Sequence, residues 1–246
     1  MQMLDVELND EYAGFLAARR ACVMRLIAEA CARSGRDASE VRALAVSKTV
    51  EPEATLLAYR AGWRAFAENR PQELVRKTDF AAAQPVMAGV RFDLIGNLQK
   101  NKINQVIGRA ALIHSVSSED LARAISKKCE AKGACVKALL EVNVSGEESK
   151  SGFSPDEVRE AAERLCALPG IELRGLMTMA PRGDLDVARR TFNGLRELAC
   201  DLRGRTGLAL PELSCGMSDD FRVAVEEGAT VVRLGRVAFD PGYALA

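Results

Sequence analysis

The chain has 246 residues with 34 basic and 34 acidic side chains, so its formal net charge at pH 7 is zero. A balanced charge excludes a general field that would attract nucleic acid or an anionic membrane. No apolar run reaches the about 18 residues of a membrane-spanning helix, and the N-terminus lacks the basic start and apolar middle of a signal peptide. We expect one soluble domain over residues 1–246, within the size range of an α/β barrel.

The cysteines predict a reducing environment. Seven of them are scattered along the chain without a CxxC pair. An odd, unpatterned set is typical of small core side chains and does not indicate a disulfide or zinc framework. We therefore expect a cytoplasmic protein with no metal site. The zero net charge and the lack of a second domain lead us to expect a monomer.

A long helical pattern comes first and is followed by alternating strands and helices. Apolar side chains recur at helical spacing over about residues 10–33. We expect this helix, within residues 1–35, to pack on the rest of the domain. Short apolar segments predict strands at 44–47, 65–67, 92–95, 112–115, 138–144, 173–178, 212–215 and 230–234. Helical segments are predicted at 52–60, 69–77, 99–107, 119–132, 155–167, 185–203 and 219–227.

This order of elements predicts the fold. Strands that alternate with helices pair in parallel through right-handed crossovers. Eight strands in a chain of this length fit a closed (β/α)8 TIM barrel of the α/β class better than an open sheet. Little chain follows the last strand, so we expect the first helix to cover the gap where an eighth outer helix would lie.

Functional residues of such barrels lie at the carboxyl ends of the strands. Lys48 follows the first predicted strand, where partial burial would lower its pKa and free the amine to react with an aldehyde. Ser218 precedes a helix after the seventh strand, and Gly235 permits close backbone approach after the eighth, as a phosphate site requires. Each also has an ordinary structural interpretation: Lys48 as a lysine whose stem covers apolar surface, Ser218 as a helix N-cap.

Longer motifs at these strand ends resemble one family. The segments are AVSK at 45–48, FAENRPQE at 66–73, LIGNLQKNK at 94–102, IHSV at 113–116, EVNVSGEESKSGF at 141–153, GLM at 175–177, LSCGMSDD at 213–220 and VRLG at 232–235. Together they resemble the YggS/PROSC family of pyridoxal phosphate homeostasis proteins. The resemblance implies the barrel of alanine racemase, which is the fold type III of pyridoxal phosphate proteins, and pyridoxal 5'-phosphate as cofactor.

The resemblance also assigns roles to individual residues. It implies that Lys48 holds pyridoxal 5'-phosphate covalently as a Schiff base and that Asn69 lies near the cofactor ring. It implies that Ser218 and the backbone amides of Gly235 and Arg236 bind the phosphate. Family members commonly have threonine where Arg236 stands, so the role of that side chain is open. No metal ligand and no catalytic residue are implied.

Arg233 is the residue that the resemblance places opposite the pyridine nitrogen. An arginine stays protonated and cannot give up its proton, so it leaves this nitrogen unprotonated. The ring is then a poor electron sink compared with one that is paired to a carboxylate. No acid is identified at that position, and we expect chemistry that depends on the electron sink to be disfavoured.

Three further residues are expected at the mouth of the site: Glu147, Lys150 and Met177. The loop that carries Glu147 and Lys150 has two interpretations. It is either a solvated charged turn, or it supplies a second amine that assists entry or handover of the aldehyde. His114, the only histidine, is expected to pack and form hydrogen bonds at the barrel rim and not to act as a base.

The resemblance favours a non-catalytic carrier that regulates vitamin B6 and amino-acid balance, with pyridoxal phosphate-dependent apoenzymes as acceptors. The alternative is a weak amino-acid racemase or a related fold type III enzyme. Racemisation needs a second base, yet Tyr12 and Tyr59 lie in helical patterns and Tyr243 lies close to the end of the sequence. A third hypothesis, a phosphosugar-type barrel enzyme, predicts no visible chromophore. Neither nucleic acid nor a membrane is expected as a partner.

Overall fold

The computed structural model describes residues 3–4, 6–147 and 150–245. Its parallel strands form one closed barrel in chain order. They are β1 (Arg42–Val46), β2 (Ala65–Glu68), β3 (Arg91–Leu94), β4 (Ile113–Val116), β5 (Val136–Glu141), β6 (Ile171–Met177), β7 (Glu212–Ser214) and β8 (Val231–Leu234). Pairing of β1 with β8 closes the barrel. The predicted eight-stranded TIM barrel is confirmed.

Helices surround this barrel. They are α1 (Asp10–Arg33), α2 (Pro52–Arg60), α3 (Pro71–Ala82), α4 (Ile103–Val106), α5 (Glu119–Glu130), α6 (Pro155–Cys166), α7 (Leu185–Thr206), α8 (Phe221–Glu226) and α9 (Arg236–Phe239). Short 3-10 turns occur at Ala38–Glu40, Pro85–Met87 and Lys100–Lys102. No helix of the described residues is long and apolar enough to cross a membrane. The same residues contain no group of three or more His, Cys, Asp or Glu side chains suited to a metal ion.

The N-terminal helix lies where the sequence pattern places it. Asn9 caps α1 by accepting a hydrogen bond from the amide of Tyr12 at 2.9 Å. The buried face of α1 includes Leu16 and Ile27, and burial of each side chain stabilises the fold by about 1.5–3 kcal/mol. The helix contacts α2, α8 and α9, which flank the seam between β8 and β1. The Tyr12 hydroxyl donates to the carbonyl of Phe239 at 2.9 Å, which ties α1 to the last short helix.

Several predicted elements differ in their bounds from the observed ones, and two of the differences occur at the carboxyl ends of strands. The helix predicted at 99–107 is a 3-10 turn followed by the four residues of α4, and Gly108, with φ of +80°, turns the chain soon after it. The strand predicted at 138–144 ends at Glu141. There Val142 pairs only as an isolated bridge with Phe153, and Gly152 at φ +117° lies against the backbone of Glu141. The early end of β5 puts Glu141 at the mouth of the barrel.

Candidate functional site

A cavity of about 280 Å³ opens at the carboxyl ends of the barrel strands. Six of its lining residues are those that the sequence analysis assigned to a cofactor: Lys48, Asn69, Ser218, Arg233, Gly235 and Arg236. They come from the end of the eighth strand and from the segments that follow the first, second, seventh and eighth strands, and the barrel brings them together. The wall also contains residues that the sequence analysis did not identify as site residues: Val46, Ile95, Gly96, Asn97, Glu141, Met179, Arg182, Met217 and Asp219.

Lys48 occupies the turn that follows β1 and is half-buried. The amide of Val50 donates to the carbonyl of Ser47 at 3.1 Å and closes this turn. Burial lowers the pKa of Lys48; the nearby charge of Arg182 lowers it further, and Glu68 opposes both effects. A larger fraction of the Lys48 amine is therefore neutral near pH 7 than for a lysine in water.

A buried ion pair lies directly beneath the Lys48 turn. Glu68 Oε1 accepts from Lys77 Nζ at 2.6 Å and from Ser47 Oγ at 2.6 Å. Lys77 Nζ also donates to the carbonyl of Ser47. Burial raises the pKa of Glu68 and lowers the pKa of Lys77, and each effect is opposed by the charge of the partner. The pair fixes the backbone that presents Lys48 to the cavity.

Arg233 lies on the cavity wall at the end of β8 and is only 4% exposed. Its Nη1 donates to the carbonyl of Ser214 at 2.8 Å and to Ser214 Oγ at 2.7 Å, and its Nη2 donates to the carbonyl of Thr178 at 2.9 Å. These contacts occupy three of the five guanidinium N–H groups. These three hydrogen bonds therefore hold the guanidinium in one orientation on the cavity wall.

His114 lies inside the barrel, so the expected position at its rim is wrong. The ring is fully buried and contacts Ser214 and Asp93. Its expected role as a packed and hydrogen-bonded residue agrees with these contacts. The barrel interior accepts a polar ring at this depth because both ring nitrogens have partners.

Glu141 is an acid on the cavity wall that the sequence analysis did not identify. Its side chain is 2% exposed, and Oε1 accepts from Ser151 Oγ at 2.8 Å. Oε2 is buried with no hydrogen-bond partner among the described residues. Burial raises the pKa of Glu141, against the effects of Ser151 and of the charge of Arg233. The sequence signal that could have identified Glu141 is its position at the carboxyl end of β5. The strand was predicted to continue to residue 144, so Glu141 was placed inside it and not at its end.

The loop after β7 is built tightly around Ser218. A Cβ on Gly216 would lie 2.5 Å from the Cβ of Ala224, and its φ of +89° also requires glycine. Ser218 Oγ accepts from the amide of Val237 at 3.1 Å. This bond joins the loop to the first residues after β8, where Gly235 precedes α9. The hydroxyl of Ser218 and the backbone after β8 thus form one side of the cavity.

The side chain of Arg236 is directed to the outer rim of the cavity. It pairs with Asp219, and its guanidinium carbon lies 5.0 Å from the centre of the Tyr243 ring. Tyr243 donates to Asp219 Oδ1 at 2.7 Å or to the carbonyl of Ser218 at 3.0 Å. Burial and the neighbouring Asp219 raise the pKa of Tyr243 to about 12. The rim is therefore a cluster of partly exposed, mutually paired groups.

The residues expected at the mouth differ in their positions. Lys150 pairs with Glu147 at 2.6 Å, and Lys150 Nζ lies 3.4 Å from the carbonyl of Met179. Neither lines the cavity itself, but Met179 does. Met177 lies one layer deeper, buried in an apolar cluster within β6. The chain rises about 3.3 Å per residue in a strand, so Met179, two residues further along, lies closer to the mouth. Met179 lines the cavity, and Met177, which was expected there, does not.

Comparisons with known proteins identify the family of the chain. Residues 27–240 match the family model described as alanine racemase, N-terminal domain. The chain is 40% identical over 219 residues to a pyridoxal phosphate homeostasis protein of Aquifex aeolicus, covering 88% of this chain and 94% of that protein. It is 39% identical over 225 residues to the homologue of the same name from Pseudomonas aeruginosa, covering 91% and 94% of the two chains.

Solved structures agree with this result. PipY of Synechococcus elongatus with pyridoxal phosphate bound superposes with a TM-score of 0.79 at 34% identity, covering 91% of this chain and 99% of that one. Alanine racemase of Corynebacterium glutamicum has a TM-score of 0.72 at 16% identity, covering all of this chain and 66% of that one, which shows a shared fold alone. The chain belongs to the YggS/PROSC family of pyridoxal phosphate homeostasis proteins.

Proposed function

We propose that this protein binds pyridoxal 5'-phosphate and acts in intracellular vitamin B6 and amino-acid homeostasis, with the cofactor held on Lys48 as a Schiff base. One observation carries the proposal. The half-buried amine of Lys48 faces a cavity that also contains the buried guanidinium of Arg233 and the Ser218 loop. An aldehyde, a ring nitrogen and a phosphate on one small molecule would meet these three groups together.

The cavity has polar atoms that a polar ligand would satisfy. Asn69 Oδ1 and Glu141 Oε2 are both buried without a hydrogen-bond partner among the described residues, and both side chains line the cavity. Buried polar atoms without partners are rare, and a bound ligand is one explanation for them. Val46, Ile95 and Met217 add apolar wall, which suits an aromatic ring. The residues present fit the cofactor.

Bound pyridoxal 5'-phosphate supplies an aldehyde carbon that reacts reversibly with amines. The neutral Nζ of Lys48 would add to this carbon, a C=N bond would replace the C=O bond, and the oxygen would leave as water. The lowered pKa of Lys48 favours this step because only the neutral amine is a nucleophile. The Ser47, Glu68 and Lys77 contacts hold the turn in place during the exchange.

The phosphate would lie against the loop after β7 and the backbone after β8. Ser218 Oγ can donate its proton to a phosphate oxygen while it accepts from the amide of Val237. The backbone amides of Gly235 and Arg236 would add donors. The mouth of the cavity lies near Met179, Lys150 and Glu147. We propose that the amine of Lys150 assists handover of the aldehyde to pyridoxal phosphate-dependent apoenzymes.

A carrier role agrees with the position of Arg233, a fixed hydrogen-bond donor that would face the pyridine nitrogen of the cofactor. Arg233 would leave the ring nitrogen unprotonated, which weakens the ring as an electron sink. No tyrosine lines the cavity within the described part of the chain, and the raised pKa of Tyr243 keeps it protonated near pH 7. We therefore propose that the protein is non-catalytic. We also propose, from its composition and cysteines, that it works as a monomer in the cytoplasm.

The observation that favours the alternative, a weak racemase, is the unpaired oxygen of Glu141 on the cavity wall. An acid there could exchange protons with a bound amino acid. Incubation with L- and D-amino acids followed by chiral chromatography separates the two functions. We expect no turnover at a useful rate, and racemisation at about 1 s⁻¹ or faster would favour the enzyme.

The carrier proposal is tested by locating the cofactor. The purified protein incubated with pyridoxal 5'-phosphate should show the absorption band of a protein-bound Schiff base, and borohydride reduction followed by peptide mapping should place the adduct on Lys48. Lys48→Ala should lose the band and the adduct, whereas Lys102→Ala, the control, should keep both. An adduct found mainly on Lys102 or Lys150 would contradict the assignment.

A further inference from the structure

A line of polar side chains crosses the barrel interior from Arg233 to Asp93. It contains Arg233 on β8, Ser214 on β7, His114 on β4 and Asp93 on β3. All four side chains are less than 5% exposed. Only Arg233 also lines the cavity. Polar groups buried in a barrel interior reduce stability unless each is hydrogen-bonded, so the contacts within this line decide what it can do.

The contacts are short and continuous. Arg233 Nη1 donates to Ser214 Oγ at 2.7 Å. Ser214 Oγ lies 2.9 Å from His114 Nδ1, and His114 Nε2 lies 3.1 Å from Asp93 Oδ2. Each residue therefore bonds to the next, and the line joins four strands of the barrel.

One placement of the protons gives every bond of this line a donor and an acceptor. An arginine only donates, so Ser214 Oγ accepts from Arg233 and keeps its own proton to give. In this placement His114 Nδ1 is unprotonated and accepts the proton of Ser214 Oγ at 2.9 Å. The ring proton of a neutral histidine is consequently on Nε2, where Asp93 accepts it.

We propose that Asp93, His114 and Ser214 are positioning residues that orient the Arg233 guanidinium in the cofactor site through this one-directional hydrogen-bond line. The inference rests on the proposed function, in which Arg233 faces the ring nitrogen of pyridoxal phosphate. Ser214 contributes twice, since its backbone carbonyl accepts from the same Nη1 at 2.8 Å. The carbonyl of Thr178 fixes Nη2 at 2.9 Å.

Burial has the largest effect on His114, and it favours the neutral form of the ring. Arg233 lies beyond Ser214 on one side, Asp93 contacts the other, and Arg42 acts on the ring at longer range. Arg91 pairs with Asp93 at 2.9 Å and offsets its charge. Burial therefore lowers the pKa of His114; the contact with Asp93 opposes this effect, and the charges of Arg233 and Arg42 add to it. A neutral ring can accept at one nitrogen and donate at the other, as the line requires, whereas a charged ring could only donate.

The first test needs neither a variant nor the cofactor. His114 is the only histidine in the sequence, so the ¹⁵N NMR spectrum of imidazole-labelled, cofactor-free protein reports on this ring alone. We expect the neutral tautomer with the proton on Nε2 at pH 7. The tautomer with the proton on Nδ1, or a charged ring at pH 7, would overturn the proposal because Nδ1 would then donate to Ser214 Oγ, and the line would not run in one direction from Arg233 to Asp93.

The second test asks whether the line acts on the cofactor. Ser214→Ala removes the link between Arg233 and His114, and Ser214→Thr restores a hydroxyl. Ser126→Ala is the matched control, since Ser126 Oγ donates to the carbonyl of Pro169 at 2.7 Å, away from the cavity. We expect Ser214→Ala to lower affinity for pyridoxal 5'-phosphate about five- to tenfold, with Ser126→Ala unchanged.

Affinity alone would also fall if Ser214 were merely structural, so the deciding measurement is the ring nitrogen. With ¹⁵N-labelled pyridoxal 5'-phosphate, the ring-nitrogen shift should move in Ser214→Ala, return in Ser214→Thr and stay unchanged in Ser126→Ala. An unchanged shift in Ser214→Ala would overturn the inference and leave the proposed function intact. If the wild-type protein does not bind the cofactor at Lys48, the proposed function fails, whereas the tautomer of His114 still tests the hydrogen-bond line by itself.

Discussion

The floor and the rim of the cavity hold charged groups in different ways. The floor is defined as Arg233 on the cavity wall together with the ion pair of Glu68 and Lys77, which lies beneath the Lys48 turn and outside the cavity lining. All three side chains are almost fully buried and bonded to one another or to neighbouring strands. The rim includes Asp219 and Arg236, whose side chains are 53% and 55% exposed. Both regions contain opposite charges in contact, but only those of the floor are removed from water.

This difference in burial sets how easily each region can change. Breaking a buried ion pair costs about 3–5 kcal/mol because the remaining charge cannot reach water. Breaking an exposed pair costs about 0–1 kcal/mol. The floor is therefore a fixed frame, and the rim can rearrange at little cost. Such a combination suits the proposed carrier, in which the site around Arg233 would stay constant while the entrance changes.

The largest expected effect is on the floor. Lys77→Met leaves Glu68 buried and unpaired, and we expect it to lower the free energy of unfolding by about 3–5 kcal/mol in urea denaturation. Lys100→Met is the exposed counterpart, since Lys100 pairs with Asp120 in water, and it should change stability by about 0–1 kcal/mol.

The double variant Lys77→Met with Glu68→Leu tests the cause of this loss. Removing both charges leaves no uncompensated ion, so most of the lost stability should return. If the double variant is no more stable than Lys77→Met, the packing of the two stems, and not their charge, holds the floor.

The next effect is on the side of the cavity that is proposed to bind phosphate. Ser218→Ala removes one hydroxyl donor to a dianion, which is worth about 1.5–3 kcal/mol when the bond is charge-assisted. Affinity for pyridoxal 5'-phosphate should fall roughly ten- to hundredfold, measured by absorbance or fluorescence titration. Affinity for unphosphorylated pyridoxal should barely change. An equal loss for both ligands would mean that Ser218 only supports the amide of Val237.

Local patterns were sufficient to predict the barrel and the position of Lys48 directly after its first strand. Each strand is a short apolar run followed by polar residues, and those residues lie at the carboxyl ends whatever the detailed packing. Lys48, Ser218 and Arg233 could therefore be named in advance. The family resemblance added the cofactor and the roles, which no spacing in the sequence provides.

The buried polar contacts could not be predicted for a physical reason. Strands of a parallel barrel are covered on both faces, so their apolar pattern does not reveal which side chains point inward. Asp93 and Glu141 were missed on this account. Lys77 was missed because a lysine on an outer helix normally faces water. Only the structure shows that it reaches Glu68 across the barrel wall.

A smaller effect is expected in the pH dependence of cofactor capture. Burial and Arg182 lower the pKa of Lys48, so the neutral amine is present at lower pH than the about 10.4 of a free lysine. The rate of covalent capture should therefore reach half of its maximum below that pH. In the unfolded chain this lysine binds a proton more readily, so its contribution to stability grows as the pH rises.

Arg182→Gln sharpens this prediction. It removes a positive charge that disfavours the protonated amine, so the pH profile of capture should move to higher pH. Arg174→Gln is the control, because Arg174 pairs with Glu172 and does not line the cavity. A downward shift in Arg182→Gln would show that Arg182 does not act on Lys48 through its charge.

The smallest expected effect is at the rim. The guanidinium of Arg236 contacts Asp219 and the ring of Tyr243, so its backbone amide, and not its side chain, is the group proposed to bind phosphate. Arg236→Val should therefore change affinity for pyridoxal 5'-phosphate by less than about threefold, as expected for an exposed pair. Arg236→Thr has the same shape with a hydroxyl and should bind at least as tightly as Arg236→Val. A loss of tenfold or more in both variants would show that the guanidinium leaves Asp219 to reach the phosphate, and the rim would then be part of the binding site.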